Sequence, residues 1–315
     1  MKQHAHSTDL PNKLNPTFIS NIKDIYGDAG IAWIKNLPDQ IKTLSDLWHF
    51  DLIRPMENLS YNFVGLVKLN ATNNTAIVKI AFENARLLTE VEWLKSMSHC
   101  VPTVYNFDTQ LNAFLMEHLI PGESLKALLI TIKDDAATKI ICQVIIDLQS
   151  GQKTEPSLRT EFKHLSEFVK SLNILEGIYN KKLLDHAKSL FHDLTIDRKY
   201  DVILHGDLHH DNIISSGSEW KAIDPHGYIG DPAAEVGAMI RNPWDCFPKE
   251  HALSKTIERR LAIMKENLPF DSQKIKAWAF CMTVLSAAWT VENHPHATAS
   301  DLDMDVTEAI LKTKI

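Results

Sequence analysis

The chain has 315 residues, enough for two compact units with separate cores. Its 33 basic residues against 40 acidic ones give a net charge of −7, which argues against a nucleic-acid binder and would tolerate a cationic small partner. Hydrophobic residues at 44% and charged residues at 23% are ordinary for a globular protein, and no apolar run approaches the length that crosses a membrane.

The start, MKQHAHSTDLPNK, has no apolar secretory core. Cys100, Cys142, Cys246 and Cys281 stand far apart with no C-x-x-C. Together these predict a cytoplasmic protein with reduced, mostly buried thiols. Residues 1–16 are polar and are expected to be flexible at the start. From Pro16 to Leu47, Phe18, Ile22, Ile25, Ile31, Ile34, Ile41 and Leu44 recur at helical spacing. Leu59 to Leu69 and Thr75 to Phe82 read as two strands around the turn Asn70 to Asn74. Lys79 stands on the second strand, where Ile77 and Ala81 share its face and Ala76, Val78, Ile80 and Phe82 the other. With both faces apolar, the lysine needs an anionic partner.

Glu83 to Met97 is a predicted helix with the stripe Leu87, Val91, Leu94. Glu90 falls about 60° from Leu87 and Glu92 about 140° away, at 100° per residue. Glu90 is therefore the inward acid and Glu92 the solvated one. Val101-Pro102 opens a further strand pair that includes Asn112 to Leu119, followed by Pro121-Gly122-Glu123-Ser124. Ser124 is expected to cap a helix starting at Leu125. Residues 134–200 alternate amphipathic helical segments with polar joins, such as the loop 153–156, and 250–291 are helical again.

The stretch Val202 to Asp231 carries the chemistry. Val202-Ile203-Leu204 leads into the loop His205-Gly206-Asp207-Leu208-His209-His210-Asp211-Asn212, and Ile213-Ile214 leaves it. Ser215 to Ser218 is a turn signal, and the run Trp220 to Ile223 ends at Asp224-Pro225. The hairpin returns Asp224 to Asp207 and Asn212. Phosphoryl transfer needs such a trio: a carboxylate for the attacking hydroxyl, and an amide with a carboxylate for Mg²⁺. Taken alone, His205, His209, His210, Asp207 and Asp211 also admit a metal site.

The spacing resembles the kinase loop H-R-D-x-x-x-x-N with Gly206 at the arginine. With Ile223-Asp224-Pro225 in place of D-F-G, it is similar to the aminoglycoside phosphotransferases. The continuation IDPHGYIGDPAAEVGAMIRNP resembles the streptomycin and hydroxyurea resistance kinases, over most of the chain after Asp51.

That resemblance implies an α+β, bilobal protein-kinase-like fold. The small lobe, with an antiparallel sheet, spans 1–117; a hinge spans 118–120; a mainly helical lobe spans 121–315 and contains the catalytic hairpin 202–224. It implies ATP and Mg²⁺ as cofactors. Lys79, steadied by Glu90, would grip the α- and β-phosphates, and the backbone at Glu117 and Leu119 would hold adenine. Asp207 would orient and deprotonate the acceptor hydroxyl, while Asn212 and Asp224 hold Mg²⁺. His205 is expected to be structural, and Glu235, in a helix capped by Asp231 and opened by Pro232, to brace the loop. The family's glycine-rich phosphate turn is replaced by Asn58 to Gly65, where Ser60 and Asn62 are weak candidates. The aromatics of 277–289 are expected in the core. Asp301, Asp303 and Asp305 lack the glycine and the twelfth-position ligand of a calcium loop.

The expected reaction is transfer of the γ-phosphoryl group of ATP to a hydroxyl of a small, cationic molecule such as an aminoglycoside. Two alternatives stay open: a metabolic kinase acting on an amino alcohol, amino acid or sugar, and a nucleotide-binding module without chemistry. No protein substrate is expected, since no A-P-E follows Asp224 before Trp244. Neither is a nucleic-acid or membrane partner.

Overall fold

The structure, a computed structural model, describes residues 10, 14–153, 162–246, 251–293, 297 and 303–315. Most of the polar start, most of the 153–156 loop and Asp301 lie outside the described residues. The chain divides into two compact units, residues 1–95 with 102–118 and residues 96–101 with 119–315.

The first unit is built on a five-stranded sheet of β1 (Phe50–Pro55), β2 (Phe63–Leu69), β3 (Thr75–Ile80), β4 (Val104–Asp108) and β5 (Ala113–Glu117). Their order is β1-β2-β3-β5-β4, every neighbour antiparallel. The expected turn between β2 and β3 forms, with Asn73 in the left-handed region. Helix α1 (Pro16–Trp48) supplies the core over one face. Its Phe18, Ile22, Ile34, Leu37, Ile41 and Leu44 pack with Ala76, Val78 and Ile80. Asn15 caps it by accepting from the Phe18 N–H, and Pro16 needs no donor at the first position. The helix kinks at Gly27, whose φ is 57°. Ile25 precedes the kink and is exposed rather than on the inner stripe. Helix α2 (Asn84–Ser96) follows β3, with Leu87, Val91 and Leu94 buried as its spacing demands.

The second unit is mainly helical. It contains α3 (Asp134–Ser150), α4 (Lys181–Leu194), α5 (Val236–Ile240), α6 (His251–Asn267), α7 (Ser272–Asn293) and α8 (Met304–Lys312). Helix α7 is buried along most of its length, from Ile275 to Ala288, and so reads as apolar all round. Two small sheets carry the loop region. One has the order β10-β9-β6, from β10 (Glu219–Ala222), β9 (Ile213–Ser216) and β6 (Pro121–Ser124). The other has the order β7-β11-β8, from β7 (Lys163–His164), β11 (Tyr228–Gly230) and β8 (Val202–Leu204).

Three expectations are corrected. Ser124 does cap, accepting from the Ala127 N–H at 3.2 Å, but it caps a short 3-10 turn, Ala127–Ile130. Leu165–Leu175 is also 3-10 rather than α. The helical stretch 250–291 is two helices, broken at Pro269, whose ring cannot continue the ladder, and restarted where Asp271 accepts from the Lys274 N–H. Among the described residues no helix is long and apolar enough to cross a membrane.

One buried cation ties the helices beneath the site together. Arg260 is 1% exposed. Its guanidinium grips Asp134 of α3 and donates to the carbonyls of Met239, Ile240 and Asn242 at 2.8, 3.2 and 2.6 Å. Arg260→Met should destabilise the protein by about 3–5 kcal/mol, because it strands three buried carbonyls and leaves the partly exposed Asp134 carboxylate without its partner. The check is the urea midpoint at unchanged m; a loss under about 1 kcal/mol would mean water replaces the guanidinium.

Candidate active site

The loop between β8 and β9 has little ladder of its own, and buried side chains supply what its backbone lacks. His205 is fully buried. Its Nε2 donates to the Ile223 carbonyl at 2.9 Å and its Nδ1 accepts from the Asp207 N–H at 3.2 Å. Burial pushes its pKa down to about 4, so the ring is neutral. Glu235 accepts from the N–H groups of both His205 and Gly206. Burial raises its pKa to about 7 against the pull of those two donors, and the charge of Asp207 adds to the rise. Glu235 therefore sits beneath the loop as expected, although its residue lies in a 3-10 turn, Pro232–Glu235, capped by Asp231.

The β9–β10 hairpin closes with Ala222 opposite Ile213. The Ile223 N–H then donates to the Asn212 carbonyl at 3.0 Å, which delivers Asp224 beside Asn212. Asp224 has φ 57° and an exposed side chain. Asn212 is buried, and its Nδ2 donates to the Asp207 carbonyl at 2.9 Å and lies 3.4 Å from Asp207 Oδ2. The amide oxygen is left to act as an acceptor or ligand. One amide oxygen and one carboxylate are a donor set that would suit Mg²⁺.

Two imidazoles flank Asp207. His209 Nε2 is 3.5 Å and His226 Nε2 3.7 Å from Asp207 Oδ2. His209 Nδ1 also lies 3.5 Å from Asp211 Oδ2. Burial opposes charge on both partners, yet Asp207 and Asp211 lift His209 to about 9. In turn His209, His226 and Arg241 hold the Asp207 carboxyl well below the usual carboxylate range. Lys126 continues the chain of charges, 3.5 Å from Asp211 and 2.9 Å from Asp245. These imidazoles do not converge on a metal. Among the described residues no cluster of three or more His, Cys, Asp or Glu could hold one. His210 is fully buried, with both ring nitrogens unpartnered, and burial lowers its pKa to about 3.

In the first unit, Lys79 Nζ lies 2.9 and 2.7 Å from the two Glu90 oxygens, with both residues buried. Glu92 instead meets Lys95 at 3.7 Å in a partly exposed pair. At Glu117 the N–H donates to the Thr103 carbonyl at 2.8 Å, and the carboxylate accepts from the Thr103 N–H. The Glu117 N–H is therefore committed to Thr103. Leu119 is buried in the second unit. The stretch before β2 is tied to α1, since Asn15 donates to the Glu57 and Leu59 carbonyls and Asn21 to the Ser60 carbonyl. The sequence reading missed His226 altogether and offered His209 only as a metal ligand. The available signal was their position, two residues after Asp207 and two after Asp224.

An antiparallel-sheet unit with a buried Lys–Glu pair, and a helical unit with an Asp–Asn–Asp hairpin, make this a phosphotransferase of protein-kinase-like fold with an alcohol group as acceptor. Residues 59–294 match the family described as aminoglycoside/hydroxyurea antibiotic resistance kinase, and the chain belongs to that family. It is 23% identical to a streptomycin 6-kinase of Streptomyces glaucescens over 275 residues, covering 85% of this chain and 87% of the relative. To a streptomycin 3''-kinase of Klebsiella pneumoniae it is 29% identical over 188 residues, covering 59% and 69%. Among solved structures, an aminoglycoside phosphotransferase in complex with ADP and hygromycin B superposes with a TM-score of 0.59 at 11% identity, covering 86% of this chain and 97% of that one.

Glu235 gives a pH prediction. Its ordinary pKa is 4.5 and its folded value about 7. Between these the unfolded chain has lost the proton that the folded protein keeps. The contribution is therefore complete below about 4.5 and lost as pH rises through about 7. Glu235→Gln, which cannot ionise, should remove a loss on the order of 3 kcal/mol across that window. Urea unfolding of both proteins from pH 4.5 to 7.5 measures it, and parallel curves would show that Glu235 is ionised throughout.

Proposed function

We propose that this protein transfers the γ-phosphoryl group of ATP to a hydroxyl of an aminoglycoside, with streptomycin the acceptor best supported. The observation that carries the proposal is Asp207, kept ionised by His209 and His226 and fixed through Asn212 beside the residue that delivers Asp224. It stands in a chain related to streptomycin kinases.

In this reading the acceptor hydroxyl donates to an Asp207 oxygen, which aims the acceptor oxygen at the γ-phosphorus. The new O–P bond forms, the bond from the β–γ bridging oxygen breaks, and ADP departs. A carboxylate so far below its ordinary pKa is a weak base. Its main contribution is orientation, and the proton crosses late, when the attacking oxygen has lost its basicity; a loose transition state allows this order. Lys79, oriented by Glu90, contacts the α- and β-phosphates. The backbone at Glu117 and Leu119 would hold adenine. Asn212 and Asp224 would hold Mg²⁺, whose charge, when bound, offsets that of the phosphates. The acceptor is cationic and the reaction cytoplasmic, where ATP is supplied.

Labelled ATP, offered with streptomycin, other aminoglycosides and small alcohols, tests the reading. Streptomycin should stimulate ADP formation and carry the label. Stimulation by an amino alcohol or sugar but not by streptomycin would overturn the assignment. Asp207→Ala should lower kcat by about 10²–10⁴-fold and spare ATP affinity. A variant keeping more than about a tenth of wild-type kcat would remove Asp207 from the reaction.

Lys79→Ala and Glu90→Ala should each damage kcat/KM for ATP, and the double variant should be little worse than either. Coupling within one such pair is about 0.5–3 kcal/mol. Glu92→Ala, in the exposed pair, should be near neutral. Additive losses at Lys79 and Glu90 would show that the buried pair does not act as a unit.

A further inference from the structure

Four aromatic rings from three distant segments meet beside Asp207. Pairing of β11 with β8 sets Tyr228 opposite Leu204, the last residue before the catalytic loop. Pairing of β11 with β7 sets Tyr228 opposite Lys163, and the chain leaving β7 brings Phe168 to it, edge to face at 4.8 Å. Trp289, near the end of α7, lies 5.7 Å from Phe168, 6.0 Å from Tyr228 and 6.3 Å from His226. His226 completes the group, with Nδ1 3.3 Å from the Tyr228 hydroxyl and Nε2 3.7 Å from Asp207. The same helix buries Trp278 and Phe280 completely, whereas Phe168, His226, Tyr228 and Trp289 are each half-buried. The expectation that Trp289 is a core residue fails, and its ring belongs to an accessible aromatic surface.

The wall begins at the catalytic carboxylate. An acceptor hydroxyl placed 2.6–3.2 Å from Asp207 brings the rest of its body past His226 and onto these rings. Clustered ammonium groups would be poorly served here. The free side of Asp207 is already shared by two imidazoles, His209 at 3.5 Å and His226 at 3.7 Å. Aromatic faces, by contrast, attract a flat, weakly hydrated guanidinium, which stacks as well as carrying charge.

We propose that Phe168, His226, Tyr228 and Trp289 form the wall on which the acceptor lies, and that they select acceptors bearing a planar guanidinium over acceptors bearing only primary ammonium groups. This rests on the reading of Asp207 as the residue that receives the acceptor hydroxyl. It deepens that reading by naming the chemistry of recognition.

Equilibrium binding by calorimetry tests it separately from turnover. The probes are streptomycin, which carries guanidinium groups, and kanamycin, which carries only primary amines. Wild-type protein should bind streptomycin at least tenfold more tightly than kanamycin. Trp289→Leu should weaken streptomycin binding about tenfold and kanamycin binding little, while Trp289→Phe, which keeps a ring, should recover most of the affinity. Tyr228→Leu supplies an independent second reading if the Trp289 variant does not fold. Equal wild-type affinity for the two probes, no binding of either, or unchanged streptomycin affinity in the leucine variants would overturn the proposal. Streptomycin bound on the wall but never phosphorylated would instead leave the wall standing and sink the function proposed above.

Discussion

A catalytic loop with almost no ladder must still satisfy its buried backbone, and Glu235 is where this protein begins to do so. Its carboxylate takes two consecutive N–H groups, of His205 and Gly206. The remaining bonds spread outward from there. The His205 ring fixes Asp207 and Ile223, its carbonyl accepts from His226 and Gly227, and Asn212 closes the loop onto Asp207. The Lys126 N–H donates to the His210 carbonyl. Side chains thus replace the regular partners of a strand or helix. The residues proposed for chemistry are held by the ones that make the backbone tolerable.

This explains what could be read in the sequence and what could not. Lys79 and Glu90 were legible because each sits in a regular element. A period of two put Lys79 among apolar neighbours, and a period of 3.6 chose Glu90 over Glu92. The loop was legible through fixed spacing in one local hairpin. Arg260 was not, because its partners lie on α3 and at the end of α5 and just beyond it, on other elements of the chain. Trp289 followed the apolar pattern of α7 and looked like its buried neighbours. What set it apart was a strand pairing and a 3-10 segment more than a hundred residues upstream, and such turns carry no apolar period by which to foresee them. The break at Pro269 was visible in principle and lost within a broad helical pattern.

The two charge systems differ in kind. Lys79 and Glu90 form a buried pair, and replacing such a pair with apolar residues is often neutral for stability. The Asp207 system is an open chain of alternating charge, Asp207–His209–Asp211–Lys126–Asp245, running from the loop to the surface. Each charge is offset by the next, so the carboxylate stays ionised without depending on one neighbour.

Gly206 has φ 79°, and a Cβ there would overlap the ring of Tyr228. An arginine at this position would therefore have to displace the aromatic side chain and adopt a strained backbone. In protein kinases, arginines that pair with a phosphorylated activation loop order that segment and switch catalysis on. A phosphate added downstream of Asp224 would find no arginine offered by this loop. The catalytic hairpin is thus built without that arginine receptor for a phosphate.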